Sequence, residues 1–538
     1  MAAEFKPGKT VGIDLGTTRS SVAHVDSAGR AAIIPNADSE LVTPSVVLID
    51  ESDVIVVGTQ AKNEAIVSGS RVIRESKRDI GRTDATWDID GVTYTPEMVG
   101  SLILTKLKQD AERQLGEPIV NAVITVPAYF DDSQRAATRS AGELAGLNVV
   151  GILNEPVAAA LAYGLERQRT DGHIVVYDLG GGTFDVSVMR VSAGGVTMIA
   201  TDGNVELGGK DWDQRIINYV AEQFREAHGV DPLQDVDAFQ QLKNDAEAAK
   251  ETLTNKERAK IIVQYGGHKL VCELTREKFD ELTADLLSQT STTLDAVVED
   301  QAGLTWDDVS RVLLVGGSSK MPQVAAMVRE ITGKDVQVGD PQPDLCVALG
   351  AAYHAQILEV GAARDDSSEM DEAQRAEIMD RLKGLPPQKR EQLVSTKVTH
   401  VTSHAYGVQA AERGNSGEYE PYNAVLIQKN APLPASHTDE FYALEEGQSG
   451  VDVVVWEGEE RDLDFCKKAG NKLFEFPPVA RGTPIRVTMH FTEEGLIVVD
   501  AQEQAHGTEV HLEIERPQGM TVAERKRAGQ LLAKKIVE

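Results

Sequence analysis

The stretch "HIVVYDLGGGTFDVSVM", His173 to Met189, decides the fold, because an apolar run in it breaks on an aspartate followed by three glycines. Thr10 to Ala23 does nearly the same in "TVGIDLGTTRSSVA". In each, the apolar run leads to Asp-Leu-Gly, then to small residues, then to a second run with alternating side chains. This pattern predicts a β-hairpin whose tip brings backbone N–H groups close to a ligand. Gly16, Thr17 and Thr18 at the first tip, and Gly180, Gly181, Gly182 and Thr183 at the second, lack the bulk that would hold a phosphate away. Such a nest of amides suits oxyanions. Asp14, Asp178 and Asp185 add carboxylates that would repel those phosphates unless a divalent cation intervened, and magnesium, which keeps several waters, meets that need. Either turn alone is equally consistent with an ordinary hairpin whose glycines serve only turn geometry. The pair, each with its aspartate, favours two related lobes facing one nucleotide across a cleft.

The rest of the chain sets bounds on this reading. At 538 residues it is too long for one compact core, so two to four domains are expected. A formal net charge of −31 repels polyanions, which makes nucleic acid and anionic membrane poor partners. No run reaches the apolar length of a signal segment or a membrane span, so a cytoplasmic location is expected. Cys272, Cys346 and Cys466 stand too far apart for a CxxC metal site and read as reduced, buried small residues.

Residues 1–358 alternate short apolar runs with amphipathic segments, the signature of an α/β region. Thr95, Pro96 and Gly116 predict the cap, first position and end of one helix, and a second is expected from about Ser133 to Gly146. Residues 359–396 are charged and carry Pro386 and Pro387, which predicts a partly helical linker. Over 397–516 runs such as "VDVVVWEG" and "IRVTMHF" recur without intervening helices and predict a β-sandwich. Residues 517–538 read as one short basic helix; with Arg525, Lys526, Arg527, Lys534 and Lys535 it is expected to be solvated and partly frayed, with a membrane or partner anchor as the alternative.

With these elements in place, the chain resembles the 70-kilodalton heat-shock chaperone family of the DnaK type, on the actin and hexokinase fold. The resemblance rests on "GIDLGTTRSSVA", "KRDIGR" (Lys77 to Arg82), the run from Val123 to Gly164 that contains "NEPVAAALAYG", "DLGGGTFDVSV", "ELGGKDWD", "LLVGGSSKMPQV" from Leu313 and "QPDLCVALGAA" from Gln342. It implies a two-lobed α/β ATPase domain followed by a β-sandwich, with ATP and magnesium as ligands. By that resemblance Gly16, Thr17, Thr18, Gly180, Gly181, Gly182 and Thr183 hold the β- and γ-phosphates, while Asp14, Asp178 and Asp185 hold hydrated magnesium. Lys77, Glu155, Asp178 and Thr183 form the implied catalytic set, in which Lys77 and Glu155 position the attacking water. Pro127 is implied to switch between the nucleotide site and the partner domain.

Nucleotide recognition carries over with departures. Glu247 and Lys250 in "EAAKETLT" match ribose contacts and Thr254 the adenine edge, whereas Glu251 stands where some relatives place an arginine that stacks on adenine. Gly316, Gly317 and Ser318 would flank the base and α-phosphate, and Asp344 the ribose side. Lys320 replaces the family's usual arginine and loses its planar stacking surface.

In the second half the resemblance implies that Phe441, Leu444, Val451 and Val453 line an apolar cleft for an extended peptide. The same four residues also read as the inward face of any sandwich. Where the family has a leucine-rich linker ending in aspartate, this chain has "KVTH", Lys397 to His400, which puts coupling between ATP state and peptide affinity in doubt. The family's helical lid is represented by 22 residues, so the resemblance implies a lidless cleft that releases peptide quickly. The leading expectation is a slow ATPase chaperone acting on unfolded or extended client polypeptides, with a J-domain co-chaperone and a nucleotide exchange factor as partners. The alternative is a nucleotide-sensing interaction protein that hydrolyses little ATP and docks one partner. A sugar or acid kinase on the same scaffold is disfavoured by everything after residue 358.

Overall fold

The computed structural model describes residues 5–52, 54–65, 69–166, 171–192, 194–334, 336, 342–365, 370–414, 418–492, 497–513, 520–533 and 535–538. The two hairpins occupy equivalent places in two sheets built on one plan. In lobe I, Lys9–Asp14 runs antiparallel to Arg19–Val25 and parallel to Ile119–Val126, which is parallel to Asn148–Asn154. In lobe II, Gly172–Leu179 runs antiparallel to Phe184–Ser192 and parallel to Val309–Val315. These central strands are buried on both faces, which explains why "IVVYDL" shows no polar alternation.

Small residues let helix Cys346–Arg364 approach the lobe I sheet and helix Glu155–Glu166 closely. A Cβ on Gly12 would stand 2.0 Å from the Ala352 amide nitrogen of helix Cys346–Arg364, and one on Gly350 would stand 1.7 Å from the Ala158 carbonyl. The glycines are therefore the contact surface. The anticipated helix spans Pro96–Leu115, with Thr95 Oγ1 accepting from the Met98 amide and Gly116 at φ +72° closing it. The second spans Asp132–Leu144, started by a reciprocal cap between Asp131 and Gln134.

The region of residues 359–396 carries the expected short helices, and they pack against the rest of the chain. Helix Cys346–Arg364 continues into it, and Glu372–Gly384 and Pro387–Ser395 follow as helices. Their few apolar residues, Ile378, Leu382, Leu385 and Leu393, fall together and are buried against Val360, Ala362 and Ala363. The next three residues, Lys397–Thr399, add a parallel strand to Gly195–Asn204 at the edge of the lobe II sheet. The Lys397 amide donates to the Gly194 carbonyl at 2.9 Å. The altered linker sequence thus docks, because this pairing uses main-chain groups that "KVT" supplies as well as leucines would.

Two four-stranded sheets then form the β-sandwich. Its core includes Val455, Phe474, Met489, Ile497 and Val499. Strand Lys467–Val479 escaped the sequence reading because lysines and Pro477–Pro478 break its pattern; as an edge strand it tolerates both.

Corrections arise at the end of the chain and at one thiol. Helix Val522–Leu532 is not solvated: Ala528 is buried, and Met520, Leu531 and Leu532 pack on the lobe I core. Arg525 pairs with Glu143, and Ile536–Val537 extends the sheet edge at Val54–Val57 in parallel. Lys526 and Arg527 face outward, Lys535 lies beyond the helix end, and Lys534 lies outside the described residues. Cys466 is half-exposed rather than buried, with Sγ bonded to the Glu460 carbonyl at 3.2 Å.

Candidate functional site: the interlobe cleft

At the second hairpin tip the register places Asp178 directly across from Asp185 and Leu179 across from Phe184. The Gly180 amide bonds to the Thr183 carbonyl at 3.0 Å and closes the turn. Helix Gly209–His228 begins against it, its Gly209 and Lys210 amides donating to Gly180 and Gly181 carbonyls at 3.0 and 2.9 Å. At the first tip, Ser20 Oγ accepts from the Gly16 amide at 3.2 Å and Ser45 Oγ donates to the Gly16 carbonyl at 2.8 Å. The two tips meet. A Cβ on Gly181 would lie 2.1 Å from Thr18 Oγ1, and one on Gly182 would lie 2.4 Å from Thr17 Cγ2. Glycine is required there by contact between lobes rather than by φ.

Behind the tips lies a charge cluster. Lys77 Nζ and Glu155 Oε1 form an ion pair of 2.6 Å, both side chains buried. Asp14 accepts from Thr125 Oγ1 at 3.2 Å, and Asp185 Oδ1 from the Tyr129 amide at 3.1 Å. Burial, and then the Glu155 carboxylate, push Asp14 up to about 7 and Asp185 to about 7. Asp178 is raised well above the ordinary carboxylate range by burial and by Glu155, Asp185 and Asp14. Like charges facing each other across a hairpin destabilise it. A cation placed among them reverses that penalty. Among the described residues no three carboxylate, histidine or cysteine side chains converge as a direct ligand cage.

Toward the open end of the cleft, Glu247 accepts from Lys62 Nζ at 2.6 Å, and Lys250 donates to Asp213 and to the Gly209 carbonyl at 2.8 and 2.9 Å. Lys320 pairs with Asp344. Gly316 has φ +80°, and a Cβ on it would lie 2.4 Å from the Leu179 carbonyl. Thr254, Gly317 and Ser318 complete this end.

With the exceptions of Gly182 and Asp185, every residue expected in the phosphate, metal, catalytic and base sets lines one cleft of about 640 Å³. Gly182 turns its carbonyl toward Arg78 instead, and Asp185 holds the Tyr129 amide. Among the cleft residues missed by the sequence reading are Arg78, Lys62 and Arg19. Arg78 donates to the Gly182 carbonyl at 2.7 Å and to Asp211 at 2.6 Å, tying lobe I to the lobe II tip. Lys62 and Arg19 face Glu247. Adjacency to Lys77 and Thr18 was the signal available for Arg78 and Arg19; Lys62 had none.

The segment after Pro127 joins the cleft to the sandwich. While the Tyr129 amide holds Asp185, its ring meets His404 edge-on at 4.5 Å and lies 5.2 Å from Lys429 Nζ. Ser403 Oγ donates to the Ala128 carbonyl and Tyr406 OH to Asp132, each at 2.8 Å. In the sandwich itself, Val453 is a buried core residue, whereas Phe441 and Val451 are half-buried and pack on that core. Leu444 is half-buried, its amide bonded to Gln448 Oε1 at 2.9 Å.

Comparison with known proteins matches the family model described as "Hsp70 protein" over residues 10–90, 83–371 and 397–535. Relatives named "Chaperone protein DnaK" from Thermosipho africanus and Thermotoga maritima are each 38% identical, over 98% of this chain and 82% of their own length. The match skips residues 372–396, which hold the two short helices before the docked strand. From the paired hairpins to the sandwich, the chain belongs to the Hsp70 family.

Proposed function

We propose that the chain is an ATP-dependent chaperone that hydrolyses ATP slowly in the interlobe cleft and binds unfolded or extended polypeptide through its β-sandwich. The observation that most supports this reading is the buried Lys77–Glu155 pair set beside Asp14, Asp178 and Asp185, beneath two glycine-rich tips. The tip amides at Gly16–Thr18 and Gly180–Thr183 cradle phosphate oxygens, and their pairing across the cleft fixes both lobes on one ligand. A magnesium ion held through waters by Asp14, Asp178 and Asp185 would offset phosphate charge. Lys77 presents its ammonium to the terminal phosphate, while Glu155 orients that ammonium and accepts from a water. Thr183 adds a hydroxyl at the tip. Positioning rather than covalent chemistry does most of the work in such transfers.

The segment from Pro127 to Asp132 then reports the state of Asp185 to the sandwich. In this reading the peptide lies against Phe441, Leu444, Val451 and Val453, the protein works in the cytoplasm, and a J-domain protein and an exchange factor assist it. Among the described residues no helix is long and apolar enough to cross a membrane.

Single-turnover hydrolysis by wild type and Lys77→Ala tests the reading. The variant is expected to lose roughly 10²–10³-fold, the scale of removing one well-placed electrostatic group. Because the substitution strands a buried Glu155, Lys77→Ala/Glu155→Ala serves as the folded control. Equal rates for wild type and both variants would overturn the assignment.

A further inference from the structure

We propose that Arg19 is a bar across the mouth of the cleft and sets how fast a bound nucleoside diphosphate leaves; this rests on the nucleotide reading above. Arg19 begins the second strand of the lobe I hairpin, directly after Thr18 at the tip. Its guanidinium pairs with Glu251 and lies 3.7 Å from Glu247 Oε1. Both carboxylates belong to helix Val236–Asn255 of lobe II and stand one turn apart on the same face. Arg19 therefore spans the lobes. Burial lowers the Arg19 pKa, but Glu251, Glu247 and, last, Asp344, which lines the same cleft, raise it above its ordinary value.

The position of this contact distinguishes it from the phosphate clamp. Arg19, Glu247, Glu251 and Asp344 line the same cleft as Thr254 and Gly317, and the Arg19 and Glu251 side chains are far more exposed than the buried Lys77 and Glu155. The side chains of Arg19 and Glu251 are 36% and 53% exposed, so the pair lies at the rim, where a leaving ligand must pass. One exposed ion pair contributes little to stability. Here the pair is made between bodies that must separate for the cleft to open, so it acts on the opening step. A guanidinium can engage two carboxylates in its plane, whereas an ammonium is a point charge, so lysine is a poor substitute.

The experiment is stopped-flow release of labelled ADP, with magnesium, from the full chain after mixing with excess unlabelled ATP. Arg19→Ala is expected to release ADP about tenfold faster and Glu251→Gln several-fold faster, while the double variant adds little because both remove one contact. Release from wild type should quicken as salt rises, and this salt dependence should be weaker in Arg19→Ala. An Arg19→Ala rate within twofold of wild type, with an unchanged salt slope, overturns the bar while leaving the nucleotide site intact. A wild type that retains no ADP overturns the nucleotide reading and the bar with it.

Discussion

The nucleotide cleft and the linker dock are two seams of one molecule that tolerate change differently. In the cleft, function hangs on particular side chains: Gly181 and Gly182 leave no room for a Cβ, and Lys77 meets Glu155 at 2.6 Å. At the dock, Lys397–Thr399 departs from the family's leucines and still pairs with Gly195–Asn204. Main-chain hydrogen bonds carry no side-chain identity, so a sheet edge accepts many sequences. Two tips in contact, beside a buried ion pair, accept few.

The largest effect should come from breaking the cleft. Asp178→Asn is expected to lower single-turnover hydrolysis by about 10²-fold or more. In EDTA the same variant should melt no lower than wild type, because Asp178 is a carboxylate held well above its ordinary range by burial and like charges. A matched loss of melting temperature would mean that Asp178 serves the fold instead.

Next is the dock. Gly195 has φ +135°, and a Cβ on it would lie 1.9 Å from the Lys397 carbonyl. Gly195→Ala should therefore expel the linker strand and raise protease cutting near residues 397–400 at least tenfold, the scale of a 1.4 kcal/mol shift. Lys397→Ala should do little, whereas Lys397→Pro, which removes the donor to Gly194, should mimic Gly195→Ala. Equal behaviour of the alanine and proline variants would refute a main-chain dock.

Acidity affects the two seams in opposite directions. Asp14 and Asp185, raised to about 7, bind protons in the metal-free fold that the unfolded chain has released above about 4. Their linkage makes the metal-free protein lose stability as pH rises from about 4 to 7, and magnesium should bind more tightly over the upper part of that range. His400, at the linker, is lowered to about 3 by burial and then by His354 and Arg135; His354 is lowered to about 4. Burial likewise lowers His404, beside Tyr129, to about 4. Those groups stay neutral while docked but take protons below about 6.5 once released, so docking weakens as pH falls below that value. Glu457, raised to about 7 by burial and then Asp131, pulls the other way. Melting in EDTA and hydrogen exchange at Lys397–Thr399, each followed from pH 5 to 8, should therefore show opposite trends.

The smallest effect is expected at the chain end. Val537→Asp puts a charge against the lobe I core and should lower stability by about 1 kcal/mol, read as a shift in melting temperature. No shift would mean that the terminal strand contributes nothing.

The cleft was legible because its residues are bound to their neighbours in sequence: a strand, Asp-Leu-Gly and a tip form one local unit, stated twice. Thr95 and Gly116 marked their helix for the same reason, through caps that act within one turn. Strand Lys467–Val479 was hidden because an edge position suspends the rule against proline, and edge positions are set by the rest of the sheet. Lys62 was invisible, and Arg19 was signalled only by its place beside Thr18, because their partners, Glu247 and Glu251, are brought to them only by lobe closure.

By itself, then, the sequence determined the two glycine-rich hairpin turns, their carboxylates and the sandwich that follows, since each depends on local backbone geometry and periodicity. Tertiary structure alone decided that the tips touch, that a charged, proline-broken segment packs and ends in a docked strand, and that the basic tail lies on lobe I. Those outcomes depend on which surfaces meet, and main-chain edges and mixed helix faces leave little trace in the order of residues.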